Sequence, residues 1–283
     1  MRLLIIRHAD PEYADDSITA AGRAQAEALA DRLRQAHRQA RPRIAHIYSS
    51  PMGRARITAQ ITADALGLPV EVEAWTRELT HWSRGRDPTA PHARAGEGGP
   101  ALWDTPGEQW RAQQGQQEDG SVENASSRSK TMAGVPESVQ PEYQALQANS
   151  DAFLARHGYV RDSCGRYRVQ ASIASDHDGG GSSAVLPDRS AAVAVFCHGG
   201  FGLTWLAHLL QLPLMSFWCS FWLAPSSVTT VLFEQRSADF AVPRCLAMSD
   251  VGHLLAAGLP EAVPSRYERP DGRRPSGLKG NFY

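Results

Sequence analysis

Two histidines follow apolar runs directly. His8 stands behind Leu3-Leu4-Ile5-Ile6 and beside Arg7, and His198 stands behind the unbroken run Ala191–Cys197 and before Gly199-Gly200. Short apolar runs without helical spacing read as strands covered on both faces. In open α/β sheets the carboxyl ends of such strands face the ligand crevice. If both strands are central and parallel, both histidines emerge at one sheet edge. Arg54 reaches the same edge in the first turn of a helix that follows a second strand, where the amides and macrodipole already favour an anion. Glu78 lies just beyond a third strand, in Trp75-Thr76-Arg77-Glu78-Leu79. Two arginines, two histidines and one carboxylate at one crevice make a phosphate site with a proton donor. Taken alone, Arg7 would read as a surface charge and His8 as a satisfied strand-end histidine; the convergence argues otherwise.

The elements that must place these residues can be traced in order. Thr19 is an N-cap, and Ala26, Leu29, Ala30, Leu33 and Ala36 recur at helical spacing opposite Arg23, Glu27, Asp31 and Arg34. Ile44–Tyr48 reads as a second buried strand, and Ser49-Ser50-Pro51 opens a helix running to Leu66, ended by Gly67. Val70–Val72 begins a third strand. Strand, helix, strand, helix, strand implies a parallel sheet with right-handed crossovers. The fold expected is α/β, three-layer α/β/α with a mainly parallel central sheet. It forms one domain over residues 1–283, interrupted by a long insertion at 83–190 that covers the crevice.

Within that insertion, Gln109–Val135 is polar enough to be poorly ordered, Pro141–His157 reads as a helix, and Ser175–Ser183 as a second flexible tract. Phe201–Leu210 reads as an apolar helix, and Val228–Phe233 and Val242–Met248 as strands joined by a polar turn at Arg236 and Ser237. Past Pro260 a Pro- and Arg-rich tail is expected on the surface.

Composition narrows the function. The net charge of −1 provides no field for nucleic acid or an anionic membrane, so neither partner is expected and anion binding must be local. Cys164, Cys197, Cys219 and Cys245 contain no C-x-x-C and lie mostly in apolar surroundings, the pattern of reduced, buried thiols in a cytoplasmic protein. The few residues before Arg7 are too short for a signal-peptide apolar region. The apolar stretch Phe201–Pro225 carries His208, Gln211, Pro213 and Ser216, and reads as a buried helix, a turn and a packed segment.

These motifs, in this order, resemble the histidine phosphatase superfamily, which includes phosphoglycerate mutases and the fructose bisphosphatase domain. Arg7-His8-Ala9 resembles the family's Arg-His-Gly signature. Ser49-Ser50-Pro51-Met52-Gly53-Arg54-Ala55, with Thr58-Ala59 following, resembles its second-arginine motif. Glu78 matches its acidic residue, His198-Gly199-Gly200 its second histidine, and Thr19-Ala20-Ala21-Gly22 with Gln25-Ala26 its first helix. The likeness covers roughly residues 1–82 and 190–256.

It implies a phosphomonoesterase that needs no metal or other cofactor and acts on a small-molecule phosphate ester. His8 would be the nucleophile, giving a phosphohistidine that water hydrolyses. Arg7, Arg54 and His198 would hold the equatorial oxygens, and Glu78 would protonate the leaving oxygen and then deprotonate water. Backbone amides after His8 or at the start of the 51–66 helix could add donors. Glu12, Tyr13 and Gly199 are candidate substrate contacts.

Two departures bear on activity. Ala9 replaces a glycine, which matters if the position needs φ > 0 or close phosphate approach. Glu78 is followed by Leu79-Thr80-His81-Trp82, unlike the Glu-Arg-His-Tyr-Gly of the mutases, which favours hydrolysis over phosphoglycerate mutase activity. A non-catalytic module that binds a phospho-ligand or a protein is the remaining alternative.

Elsewhere, Gly199-Gly200-Phe201 lacks the G-x-S-x-G an esterase would need, and Asp176-His177-Asp178 reads as a solvated loop. His81 and Trp82 pack at the rim or core, Asp250 caps a helix, and His253 could hydrogen-bond near the site. Neither the substrate nor the oligomeric state follows from the sequence.

Overall fold

The computed structural model describes residues 1–80, 135–137, 139–170, 172–174, 183–185, 191–237 and 239–260. Strand β1 (Arg2–Arg7) splits its four apolar side chains between two cores: Leu3 and Ile5 enter one, Leu4 and Ile6 the other. That alternation is the strand period of two applied to a residue run apolar at every position. β10 (Ala191–Cys197) divides likewise, with Val193, Val195 and Cys197 on the first side and Ala192, Ala194 and Phe196 on the second.

Between them run β2 (Pro11–Glu12) and β3 (Ser17–Ile18), a small hairpin, then β4 (Arg43–Ser49), β5 (Val70–Val72), β6 (Tyr159–Arg161) and β7 (Tyr167–Val169). β8 (Ser172–Ala174) and β9 (Ser183–Val185) pair with each other; β11 (Val228–Gln235) and β12 (Phe240–Asp250) form a hairpin. The eight-stranded sheet has the order β5-β4-β10-β1-β11-β12-β7-β6. β5, β4, β10 and β1 are parallel, and β11, β12, β7 and β6 continue the sheet antiparallel.

Helices α1 (Ala20–Arg38) and α2 (Gly53–Leu66) cover one face, burying Leu29, Leu33, Ala59 and Ala63. Helices α3 (Gln140–Arg156), α4 (Gly199–Leu210) and α5 (Leu214–Ser220) cover the other through Tyr143, Phe153, Trp205, Leu206 and Trp218. A short α6 (Gly252–Ala256) follows β12. The α/β architecture with helices on both faces of a sheet whose parallel half carries the polar strand ends is thus as expected. Each large side chain buried in these cores stabilises the fold by about 1.5–3 kcal/mol, which offsets the cost of holding those strand ends away from water.

Part of the expected insertion contributes to this core: α3 packs Tyr143, Leu146 and Phe153 into it, and β6 and β7 extend the sheet. Of the expected Gln109–Val135 stretch, residues 109–134 lie outside the described residues, while Val135 is buried in the core; residues 175–182 of the Ser175–Ser183 tract with Asp176-His177-Asp178, His81, Trp82 and the tail past Pro260 lie outside them too. The thiols correct one expectation. All four cysteines are free, but Cys164 and Cys245 are exposed and only Cys197 is buried. Both exposed thiols sit outside the two cores, Cys164 in a turn among polar residues and Cys245 in an exposed stretch of β12. Among the described residues no helix is long and apolar enough to cross a membrane.

Candidate active site

Sheet register brings the histidines together. β1 and β10 align so that Arg7 lies opposite Cys197, and the next residue in each strand is His8 or His198. The His8 amide donates to the Cys197 carbonyl at 2.9 Å, so the ladder continues into the site, and the two imidazole centroids are 5.1 Å apart. β4 aligns Ser49 with Phe196, which places Ser50 beside His198. Its Oγ lies 2.8 Å from His198 Nε2. Arg54 follows one helical residue after Gly53 at the start of α2, and its Nε–H donates to His8 Nε2 at 3.2 Å. β5 ends at Val72 and a 3-10 turn, Ala74–Thr76, redirects the chain so that Glu78 reaches the N-terminus of α4. There its Oε1 accepts the Phe201 amide at 2.8 Å and its Oε2 the Gly200 amide at 3.3 Å.

The nucleophile candidate is set up in one tautomer. His8 Nδ1–H donates to the Ala9 carbonyl at 2.8 Å, which leaves Nε2 as the acceptor facing Arg54. Burial, seconded by the charges of Arg7 and Arg54, holds the His8 pKa well below the ordinary histidine value, so the ring is neutral. His198 is lowered in the same sense, first by burial and then by His8, Arg54 and Arg7. Burial raises Glu78 above the ordinary carboxyl value, although the Phe201 and Leu79 amides oppose it.

Arg7 is only 4% exposed; its Nη1 donates to the Leu223 carbonyl at 2.6 Å, and its guanidinium lies 5.8 Å from the Trp222 ring. Arg7 Nε and His198 Nδ1 are buried and have no hydrogen-bond partner among the described residues. Both belong to residues beside His8 at the strand ends, where their capacity is open to an anion.

Glycines make the close approaches possible. A Cβ on Gly199 would come within 3.3 Å of the Arg7 guanidinium carbon, and one on Gly200 within 2.9 Å of Glu78 Oε1. Gly199, expected as a substrate contact, thus seats Arg7. Tyr13 lies against Arg54, its ring centroid 5.4 Å from the guanidinium carbon. Glu12 is exposed and turns back toward its own loop, accepting the Ala14 amide at 3.4 Å; the structure does not bring it to the cluster.

Ala9 does not occupy a left-handed conformation, and its amide donates to Thr58 Oγ1 at 3.1 Å while Thr58 donates to the Arg54 carbonyl at 2.8 Å. This threonine ties the nucleophile loop to the arginine helix, and the alanine methyl is fully buried. The expectation that amides after His8 and at the start of α2 supply donors is therefore corrected: the Ala9 amide serves Thr58, Met52 donates to Ser50 Oγ, and Gly53 donates to Asp16.

The first-helix motif acts as a clasp. Thr19 caps α1 through the Gly22 amide and donates to Asp10 Oδ2 at 2.7 Å, Gln25 accepts the Asp10 amide, and a Cβ on Gly22 would meet the Asp10 carbonyl at 2.3 Å.

Behind the nucleophile, Ser226 donates its amide to the His8 carbonyl at 3.0 Å while its Oγ lies 2.9 Å from His253 Nε2. His253 thus reaches the site through Ser226. Asp250 both accepts the Gly252 amide at the start of α6 and pairs with Arg32 of α1. Asp16 and Ser226 escape a reading of the sequence. Each sits in a left-handed loop, at φ 46° and 59°, and is joined to partners far away in the chain, with no periodicity to flag it. No group of three or more His, Cys, Asp or Glu side chains able to hold a metal ion occurs among the described residues.

Known proteins bear on this arrangement. Among solved structures, the chain is similar to a mycobacterial hydrolase at 19% identity and TM-score 0.50, over 88% of this chain and 98% of that one. It is also similar to a mycobacterial glucosyl-3-phosphoglycerate phosphatase at 21% identity, covering 88% and 98%, with TM-score 0.48. A phosphoserine phosphatase from Entamoeba histolytica matches at 17% identity, 89% and 98% coverage and TM-score 0.49. No curated protein sequence matches. Residues 3–147, more than half of the 283, match the family model described as "Histidine phosphatase superfamily (branch 1)". The chain belongs to the histidine phosphatase superfamily, branch 1.

Proposed function

We propose that this chain is a phosphatase that hydrolyses a small-molecule phosphate monoester through a phosphohistidine on His8, without a metal ion. The observation that carries the reading is the His8 imidazole: neutral, fixed as the Nδ1–H tautomer by the Ala9 carbonyl, and presenting Nε2 beside Arg54. Nε2 attacks phosphorus, the ester P–O bond breaks, and the Glu78 carboxyl gives its proton to the departing oxygen. Arg7, Arg54 and His198 hold the three equatorial oxygens as charge shifts onto them. Water then attacks phosphorus, Glu78 takes its proton, the P–N bond breaks, and inorganic phosphate leaves neutral His8 behind.

Glu78 suits both steps, because burial favours its protonated form while the Phe201 and Gly200 amides accommodate its charge once the proton has gone. Ala9 is no obstacle, since its backbone needs no glycine. The test is turnover of an aryl phosphate by the intact chain and by His8→Ala. Loss of at least about 10³-fold in the variant is expected for removal of a nucleophile, and undiminished turnover would rule the scheme out.

A further inference from the structure

Arg54 has a partner that the reaction scheme does not use. Asp16 Oδ1 accepts from Arg54 Nη1 at 2.5 Å, and its Oδ2 accepts from the Gly53 amide at 2.6 Å, so one carboxylate spans the arginine and the first amide of α2. Three further features show that the chain is built around this contact. Asp16 is held at φ 46°, a region that costs a non-glycine residue about 1 kcal/mol or more. Gly53 has room for nothing larger, since a Cβ there would meet the Asp16 carbonyl oxygen at 2.2 Å. Helix α2 has no side-chain cap of its own at Met52, and the Asp16 carboxylate supplies one from across the crevice. The loop between β2 and β3 that carries Asp16 also carries Tyr13, whose ring lies against the same guanidinium.

We infer that Asp16 is the positioning residue for Arg54, pinning Nη1 so that the guanidinium keeps its Nε edge toward His8 and the transferring phosphoryl group. A guanidinium is a planar fork, so fixing one terminal nitrogen and Nε fixes the plane. Nη2 has only the Met52 sulfur, at 3.6 Å, among the described residues. Asp16 acts on the reaction through Arg54, its cap on α2 being structural, and the role rests on the phosphatase reading above. Positioning of this kind matters most where charge develops, so its loss lowers kcat more than it raises KM.

The experiment compares Asp16→Ala, Asp16→Asn, Arg54→Ala and the Asp16→Ala/Arg54→Ala double variant in the full chain. Melting temperature, kcat and KM on p-nitrophenyl phosphate, and binding of orthovanadate and of inorganic phosphate by calorimetry are measured for each. Asp16→Ala is expected to lower kcat about tenfold with KM changed less than about threefold, and to weaken vanadate, which mimics the transferring group, about tenfold while leaving phosphate within about threefold. Asp16→Asn, which keeps one acceptor oxygen, loses the other acceptor to an NH2 donor and carries no charge, falls between. In the Arg54→Ala background, Asp16→Ala adds less than about twofold, because its effect runs through the arginine.

Equal losses in both backgrounds, tracking a lowered melting temperature, would show that Asp16 only caps the helix and would overturn the assignment. So would wild-type kcat and vanadate affinity in a folded Asp16→Ala. A wild-type chain without turnover, but with vanadate affinity dependent on Arg54 and Asp16, would overturn hydrolysis and uphold the positioning role.

Discussion

Replacing Gly200 with alanine perturbs Glu78 through one added carbon. The added Cβ would sit 2.9 Å from Glu78 Oε1 and 3.5 Å from its Cδ, while the next contact, Trp218, lies at an ordinary 3.6 Å. An oxygen and a methyl need roughly half an ångström more, and the group that yields is the Glu78 carboxylate, which the Phe201 amide otherwise holds. Gly200 lies within α4 and is not among the positive-φ residues, so alanine fits its backbone. The helix gains about 0.5–1 kcal/mol from alanine, but the buried Gly200 amide loses its acceptor at a cost of about 1–3 kcal/mol, so the variant should stay folded and melt up to several degrees lower. Glu78 loses its 3.3 Å bond from the Gly200 amide and moves off the helix axis.

Misplacing a catalytic group by up to an ångström costs about tenfold to a hundredfold. That loss falls on substrates whose leaving oxygen needs a proton. The assay is kcat/KM for an alkyl phosphate against p-nitrophenyl phosphate, with thermal melts of the same preparations. A folded variant whose alkyl-to-aryl ratio falls about tenfold fits Glu78 as the acid. A folded variant with an unchanged ratio would refute both the role and the geometry behind it.

Other outcomes follow from the same contacts. Because burial raises the Glu78 pKa and the first step needs its proton, kcat/KM on an alkyl phosphate should fall as pH rises through that value, and Glu78→Gln should abolish this limb. A Glu78→Gln profile that keeps the limb would assign it elsewhere. His253, lowered from 6.5 to about 4 by burial, takes up its proton in the unfolded chain first. Stability is therefore full above pH 6.5 and declines as pH falls toward about 4, by up to about 3 kcal/mol from this residue. Denaturant melts across that range should be flatter for His253→Asn than for the wild type, and parallel curves would count against the assignment. Thr58→Val leaves the buried Ala9 amide without its acceptor, at a cost of about 1–3 kcal/mol. It should also lower turnover, which melts and assays of the same sample would show.

The parallel half of the sheet and the residues at its strand ends were legible because their signals are local. Leu3–Ile6 and Ala191–Cys197 are apolar at every position, and a polar residue directly behind such a run has nowhere to go but the sheet edge. The Ala9 substitution drew attention that its backbone does not warrant, since a signature letter does not report a φ angle. What escaped was contact between distant loops. Asp16 reads as one more acid in Asp15-Asp16-Ser17, and only the fold puts it on Gly53 and Arg54. Ser226 looks like half of a polar pair before β11, yet it carries the link from His253 to the His8 carbonyl. The short strands β6 and β7 are too brief for periodicity to declare, and β7 joins the sheet through pairing with β12.

The central claim is that phosphorus becomes bonded to His8. Mixing the intact chain with a radiolabelled phosphate ester, quenching within a turnover and mapping the labelled peptide tests it directly. Label on the peptide containing His8, stable to alkali and lost in acid as a phosphoramidate is, and absent from His8→Ala, is the result expected. An active chain that carries no label at any quench time, or carries it on another residue, would contradict the account.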